Sequence, residues 1–335
     1  MRLHRNFEKA SIMKLMRSQL SVGGLVLLLV FGPRPSSQIT LEAQTAPTWT
    51  APRTSWGDPD LQGIWDYRTA TPLERPAKFK GQEFLTDEEV AAYEHRAATR
   101  ADGRPPDDPR TAPSVHAPEW LDYGKTVVGT RRTSLVTLPP DGRIPPLSDE
   151  GQDRVESRQA ERSARGPAHS YTSRSLWERC ITRGLPNGML PAGYNNNVQF
   201  LQTPSVVVIF NEMIHDTRII PLDGRPHLDN SIRQWRGDSR AWWEDDILVI
   251  ETTNFSKHTD FRGASNDLHL IERFRRTGPK TVSYEFTVTD PTTWISPWTV
   301  TFPMTRTTDP VYEYACHEGN YGLLNILTVA RSTTP

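Results

Sequence analysis

From residue 198 to residue 316, apolar and β-branched positions come in short runs broken by turn-forming residues: 198–202, 206–211, 217–221, 247–253, 268–275, 281–289, 298–306 and 311–316. Runs of this length and alternation are the signature of half-buried strands. Eight of them without a long helical pattern predict an antiparallel barrel or sandwich. Asp223-Gly224, Gly237-Asp238 and Asp245-Asp246 mark the connections. Alternation also assigns faces. Val282, Tyr284, Phe286 and Val288 form one apolar face, and Trp298, Val300, Phe302 and Met304 another, with Glu285 on the opposite side of its strand. In the same way Leu268, Leu270, Glu272 and Phe274 share a face, as do Ile247, Val249 and Glu251. A carboxylate on an inward face must be paired, hydrogen-bonded or protonated. Glu251 and Glu272 are therefore acid/base candidates. The alternatives are a structural ion pair with Arg218, Arg240 or Arg273, or a register that turns them to water.

The chain before residue 194 is patterned differently. A short strand is expected over 60–65, and Thr86-Asp87-Glu88-Glu89 has the order of a capping box that opens a helix to about Thr99. Residues 101–118 carry no periodicity. A strand over 134–138 is closed by Pro139-Pro140-Asp141-Gly142, and Ser148 caps a helix, polar all round, through about Ala164. Of the 28 prolines, 16 lie between Pro33 and Pro146. The reading is an export leader over 1–46, a Pro-rich arm over 47–193 that wraps the body, and a β body over 194–335.

The leader has a basic stretch (Arg2, Arg5, Lys9, Lys14, Arg17), then the apolar run 22–31, then a polar exit, the order of an export signal. Ten apolar residues are too few to span a bilayer. The expectation is a periplasmic or extracellular protein with no integral membrane domain beyond an uncleaved leader. Outside the leader, 33 Lys/Arg face 38 Asp/Glu, which argues against nucleic acid as a partner. Cys180 and Cys316 are the two cysteines. In an oxidising compartment such a pair is most simply a disulfide, which would tie 177–180 to 315–317; the other reading is two separate buried thiols.

Candidate chemistry is sparse. His215, His227 and His317 are histidines that a fold could gather around a metal, but no H-x-H, H-E-x-x-H or C-x-x-C spacing supports one, so no metal is expected. More simply, His215 or His317 acts as a general base oriented by a neighbouring carboxylate, or both are loop histidines bonded to backbone. No G-x-S-x-G elbow surrounds Ser239, and neither G-x-G-x-x-G nor a P-loop occurs, so no cofactor is expected. Aromatics are dense in the body. Trp235, Trp243, Trp298, Tyr314 and Tyr321 are the expected lining of a pocket for an apolar ligand, although core packing also accounts for such residues.

The segments PDLQGIW (59–65), PPDGRIPPL (139–147), ERCITRG (178–184), IPLDGRPH (220–227) and YACHEGNY (314–321) resemble those of a large family of exported bacterial proteins of uncharacterised activity. The resemblance covers nearly the whole chain after the leader and implies export, without a mechanism. Gly63-Ile64-Trp65 resembles the G-x-W of lipocalin-type barrels. Together these readings predict a mainly β, lipocalin-like antiparallel barrel with a Pro-rich, partly helical arm, binding a small hydrophobic or aromatic molecule. The alternatives are a cofactor-independent acid/base enzyme (lyase, isomerase, hydratase or hydrolase) using His215 or His317 with Glu251 or Glu272, and a cell-envelope interaction protein.

Overall fold

A computed structural model describes residues 49–332 apart from 101–103, 105, 108–120, 167 and 260, so the leader and most of the unpatterned stretch lie outside the described residues. The described part is mainly β. Its ten strands are β1 (Gly63–Asp66), β2 (Val136–Leu138), β3 (Asn197–Gln202), β4 (Val206–Asn211), β5 (Thr217–Pro221), β6 (Asp238–Glu244), β7 (Ile247–Thr253), β8 (His269–Gly278), β9 (Thr281–Thr289) and β10 (Trp298–Thr307). They form one antiparallel sheet in the order β5-β4-β3-β1-β10-β9-β8-β7-β6, with β2 pairing β10 beside this path.

β1, from the arm, bridges the sheet. Trp65 pairs with Val198 on one side and Arg306 on the other. Its ring is fully buried and its Nε1 donates to the Leu61 carbonyl at 2.8 Å. β3 and β10 do not pair with each other, so β1 supplies the hydrogen bonds that join the two halves.

The inner face follows the predicted alternation where a strand has one polar face. Val282, Tyr284, Phe286 and Val288 are buried, as are Trp298, Val300, Phe302 and Met304. The sheet is strongly curled. β5 and β8 are six steps apart in the order, roughly 29 Å if flat at about 4.8 Å per strand. Yet Arg218 of β5 bonds Glu272 of β8 at 2.5 and 3.0 Å, and the rings of Phe200 (β3) and Phe274 (β8) lie 5.0 Å apart. Curling lets both halves of one apolar face bury against each other, the role a second layer would otherwise fill. The curl does not close into a barrel: β5 and β6 are the two edges and share no ladder.

Three α-helices accompany the sheet among the described residues. α1 (Asp87–Thr99) starts at a complete capping box, with Thr86 Oγ1 accepting from the Glu89 N–H and the Glu89 carboxylate accepting from the Thr86 N–H. Its Tyr93 and Ala97 form a small separate core with Ala70, Phe79 and Leu85. α2 (Asp149–Arg165) is polar as expected and is capped by Ser148. Its Arg154 donates to the Thr292 carbonyl and to Thr293 Oγ1. α3 (Tyr321–Ser332) was not expected, and 311–316, read as a strand, is irregular. No helix among the described residues is long and apolar enough to cross a membrane.

Two other expectations need correction. β6 is absent from the predicted set because it begins at Asp238-Ser239, residues that suggest a turn; it ends at Asp245-Asp246, the turn expected there, with Asp245 at φ 51°. Glu251 does not face the core. Leu248, Ile250 and Thr252 stand opposite the inward Phe274, Glu272 and Leu270, which puts Glu251 on the outer face with Ile271. β7 opens with four apolar residues, so neither phase of its alternation is marked by polarity.

Candidate functional site

The site lies where the sheet fails to close. Between Pro221 and Asp238 the chain crosses the gap between the edge strands as an irregular connection, 222–237. It is held from beneath by backbone: Gln234 N–H to the Asn254 carbonyl at 3.0 Å, and Ser256 N–H to the Gln234 carbonyl at 2.8 Å. Asn254 Nδ2 donates to Leu228 O, and Thr259 Oγ1 to Trp235 O. Gly237 makes the return into β6 possible. Its φ is +68°, and a Cβ there would stand 2.4 Å from the Thr253 carbonyl oxygen.

Two clefts adjoin along this connection. The first, about 780 Å³, runs between β5 and β6 and is floored by Arg218, Ile220 and Ser239, with Arg233, Trp235 and Arg236 from the connection above. The second, about 660 Å³, lies between α2, residues 172–179 and residues 257–259. Trp235 and His258 line both. Their rings are 6.1 Å apart, and Trp235 keeps 39% of its surface exposed.

Arg218 is the buried wall of the first cleft. Its two terminal nitrogens are bonded to Glu272, whose Oε1 also accepts from Tyr284 Oη at 2.8 Å, while its Nε has no hydrogen-bond partner among the described residues. Burial and the Glu272 charge push the Tyr284 phenol well above its ordinary pKa. Nearby, burial lifts the pKa of Asp216 despite Arg236, whose Nη1 is 3.5 Å away and hydrogen-bonded to nothing among the described residues.

On the outer face a chain of titratable groups runs away from the cleft. Asp238, which lines the cleft, accepts from Arg240 Nη1 at 2.7 Å and from the Leu228 N–H, and bonds His227 Nδ1 at 2.9 Å. His227 Nε2 lies 3.2 Å from Glu251 Oε2, and His269 Nε2 lies 2.7 Å from Glu251 Oε1. Burial works against both carboxylates. For Glu251 the bonds from His269 and His227 outweigh it, and for Asp238 those from Leu228, His227 and Arg240 do, so both pKa values lie below the ordinary range.

The structure scatters the other residues singled out from sequence. Glu272 is sealed in the core by Arg218, the structural ion pair that was its alternative. His215 Nδ1 bonds the Tyr314 carbonyl at 3.2 Å, and His317 is exposed; neither bonds Glu251 or Glu272. Trp298 belongs to the core, Trp243 packs partly against it, Tyr314 accepts from Trp177 Nε1, and Tyr321 is exposed on α3. Of the five aromatics, Trp235 alone lines either cleft. The inner face of the sheet is filled: Phe274 stacks on Tyr284 at 4.6 Å, and Tyr284 meets Phe302 edge-on at 5.3 Å. Among the described residues no group of three or more His, Cys, Asp or Glu is placed to hold a metal ion. Cys180 and Cys316 form a disulfide with Cα atoms 5.8 Å apart. It anchors the C-terminal segment, where Asn320 Nδ2 donates to the Glu178 carbonyl and the Tyr312 N–H to Glu212.

Sequence reading missed His227 and His269 as the partners of Glu251. The pairing of β7 with β8 brings His269 beside Glu251 and the path of the connection 222–237 brings His227, and single runs reveal neither. The gathering of arginines around the clefts was missed for a similar reason, the residues being dispersed from Arg158 to Arg240. Comparison with protein-family models, with curated proteins and with solved structures finds no match.

Proposed function

We propose that the protein is an exported binding protein that takes a small molecule with an apolar or aromatic body into the cleft at the open seam. The carrying observation is Trp235: a large ring left 39% exposed, backed by His258 and shared by two adjoining clefts. Such a ring offers a flat apolar face with little conformational entropy to lose. In this reading the sheet is a lipocalin-like barrel opened along one side, supported by its curl and by Gly63-Ile64-Trp65 on β1. The ligand lies at the seam because the interior is occupied by the protein's own aromatic rings. Export and membership of the exported bacterial family rest on the leader and on the motifs; the disulfide is compatible with an oxidising compartment.

The test is titration with the neutral fluorophore N-phenyl-1-naphthylamine. Wild type is expected to enhance its emission, and Trp235→Ala to weaken binding roughly tenfold, the loss of about 1.4 kcal/mol of stacking and burial. An unchanged affinity in Trp235→Ala defeats the proposal.

A second reading, a cofactor-independent acid/base enzyme, draws on the chain from Asp238 in the cleft through His227 to Glu251 and His269. That order of donors and acceptors suits proton transfer to a bound molecule. A ligand recovered unaltered after incubation with wild type supports binding alone. One altered by wild type but not by Glu251→Gln establishes the enzyme.

A further inference from the structure

The two clefts have unlike surroundings from the rest of the molecule. Outside the leader the chain carries more acid than base, yet cations crowd both sides of Trp235. In the first cleft, Arg240 and Arg225 are held by Asp238 and Asp223, and Arg218 by Glu272. Arg233 has no carboxylate partner among the described residues and donates only to the Asn266 carbonyl. Arg236 shares an ion pair with Asp216 at 3.5 Å, yet its Nη1, like the deeply buried Arg218 Nε, has no hydrogen-bond acceptor among the described residues. In the second cleft the acids are again used up, Glu161 by Arg165 and Glu178 by Arg174. Among the described residues no ion pair holds Arg162, Arg179 or Lys257, which line the same cleft. Arg179 rests over the Tyr171 ring at 5.1 Å.

Every carboxylate lining a cleft is thus matched, and a surplus of cation stands on each flank of one exposed indole. A buried guanidinium donor without an acceptor is costly, and an anion is the group that satisfies it. An isolated exposed cation contributes little to binding. Two groups of cations separated by an aromatic platform select a ligand with the complementary pattern. We infer that the site takes an organic dianion, a flat apolar body bearing two separated carboxylate or sulfonate groups, one directed to Arg233 and Arg236 and the other to Arg162, Arg179 and Lys257. The inference rests on the reading of the seam cleft given above and adds the ligand's charge and shape.

Calorimetric titration with naphthalene-2,6-dicarboxylate, 2-naphthoate and 2-naphthamide tests it. These probes share a ring system and differ in charge. The dianion is expected to bind about tenfold more tightly than the monoanion, the equivalent of one additional charge-assisted contact, and added salt to weaken the dianion most. Arg162→Gln combined with Lys257→Gln alters two exposed side chains, so the fold is not at stake. This variant is expected to bring the dianion to the monoanion's affinity and to leave the amide unchanged. Equal affinities for the three probes, or a charge variant that binds the dianion as wild type does, overturns the inference. Because N-phenyl-1-naphthylamine has no charge, its binding to wild type and loss in Trp235→Ala keep the cleft reading intact even then. If Trp235→Ala leaves every probe unaffected, the cleft reading itself has failed.

Discussion

Removing Arg218 would strand a carboxylate in the core. Glu272 is fully buried and keeps only the Tyr284 hydroxyl if the guanidinium goes. Arg218→Met should cost about 3–5 kcal/mol, whereas Arg218→Met with Glu272→Leu should recover most of that loss, because a buried pair replaced as a unit leaves no bare charge. Denaturant unfolding of the two variants checks this; equal losses would mean that the pair acts through packing alone. Glu251 differs, being partly exposed and held by two imidazoles. Its folded pKa is depressed, so its contribution is present above the unfolded carboxylate value of about 4.3 and is lost as pH falls through the lower folded value. Glu251→Gln should therefore lower stability near neutrality, where that contribution is complete, and flatten the acid limb of the stability profile, the two proteins converging below about pH 4. Asp216 has the opposite sign, since burial raises its pKa and favours the protonated form. Its contribution falls as pH rises from the unfolded to the folded value, and Glu251→Gln leaves that component in place. The residue scale is where sequence reading did best for Glu272 and worst for Glu251. In 268–274 one phase alone gathers Leu268, Leu270 and Phe274 on a single face, while β7 starts with Ile-Leu-Val-Ile and buries well in either phase.

At the scale of elements, the edge strands decide where a ligand can approach. β5 and β6 hold their inner-face residues against the core but leave backbone on one side unpaired. Natural sheets protect such edges with charge or a covering loop. Here the connection 222–237 and the cleft arginines occupy that position. Gly237 is the pivot of the cover. Gly237→Ala forces a side chain into the left-handed region and against the Thr253 carbonyl, which should cost more than about 1 kcal/mol. It should also shift Trp235 and Arg236, so the melting temperature and the affinity for N-phenyl-1-naphthylamine are expected to fall together. A fall in melting temperature with unchanged affinity would show that the connection is not coupled to the cleft. Caps and most strands were legible because their signals are local: Thr86 with Glu89, Ser148, and the alternation of β9 and β10. β6 and α3 were not, since a strand that starts on turn residues and a helix rich in β-branched and apolar positions both contradict local preference.

Over the whole molecule, the arm and the disulfide hold distant parts of the chain together. Because β1 joins β3 to β10, deleting residues 47–130 should unfold the remainder, seen as loss of near-ultraviolet circular dichroism; a body that stays folded would mean that the arm is an appendage. The Cys180–Cys316 bond spans 136 residues of sequence. Cys180→Ser should destabilise by about 4–5 kcal/mol if restriction of the unfolded chain dominates, and by much less if that chain is already restricted in its freedom. By itself the sequence determined the class of structure, the faces of the strongly alternating strands, the helix caps and the pairing partners available to two cysteines. Each of these depends on neighbours within a few residues or on a count. Tertiary structure decided that the sheet curls without closing, that its interior is filled, that Glu251 meets His227 and His269, and that dispersed arginines gather around Trp235. Those outcomes depend on strand order and register, and the free energy that selects them belongs to the packed sheet as a whole.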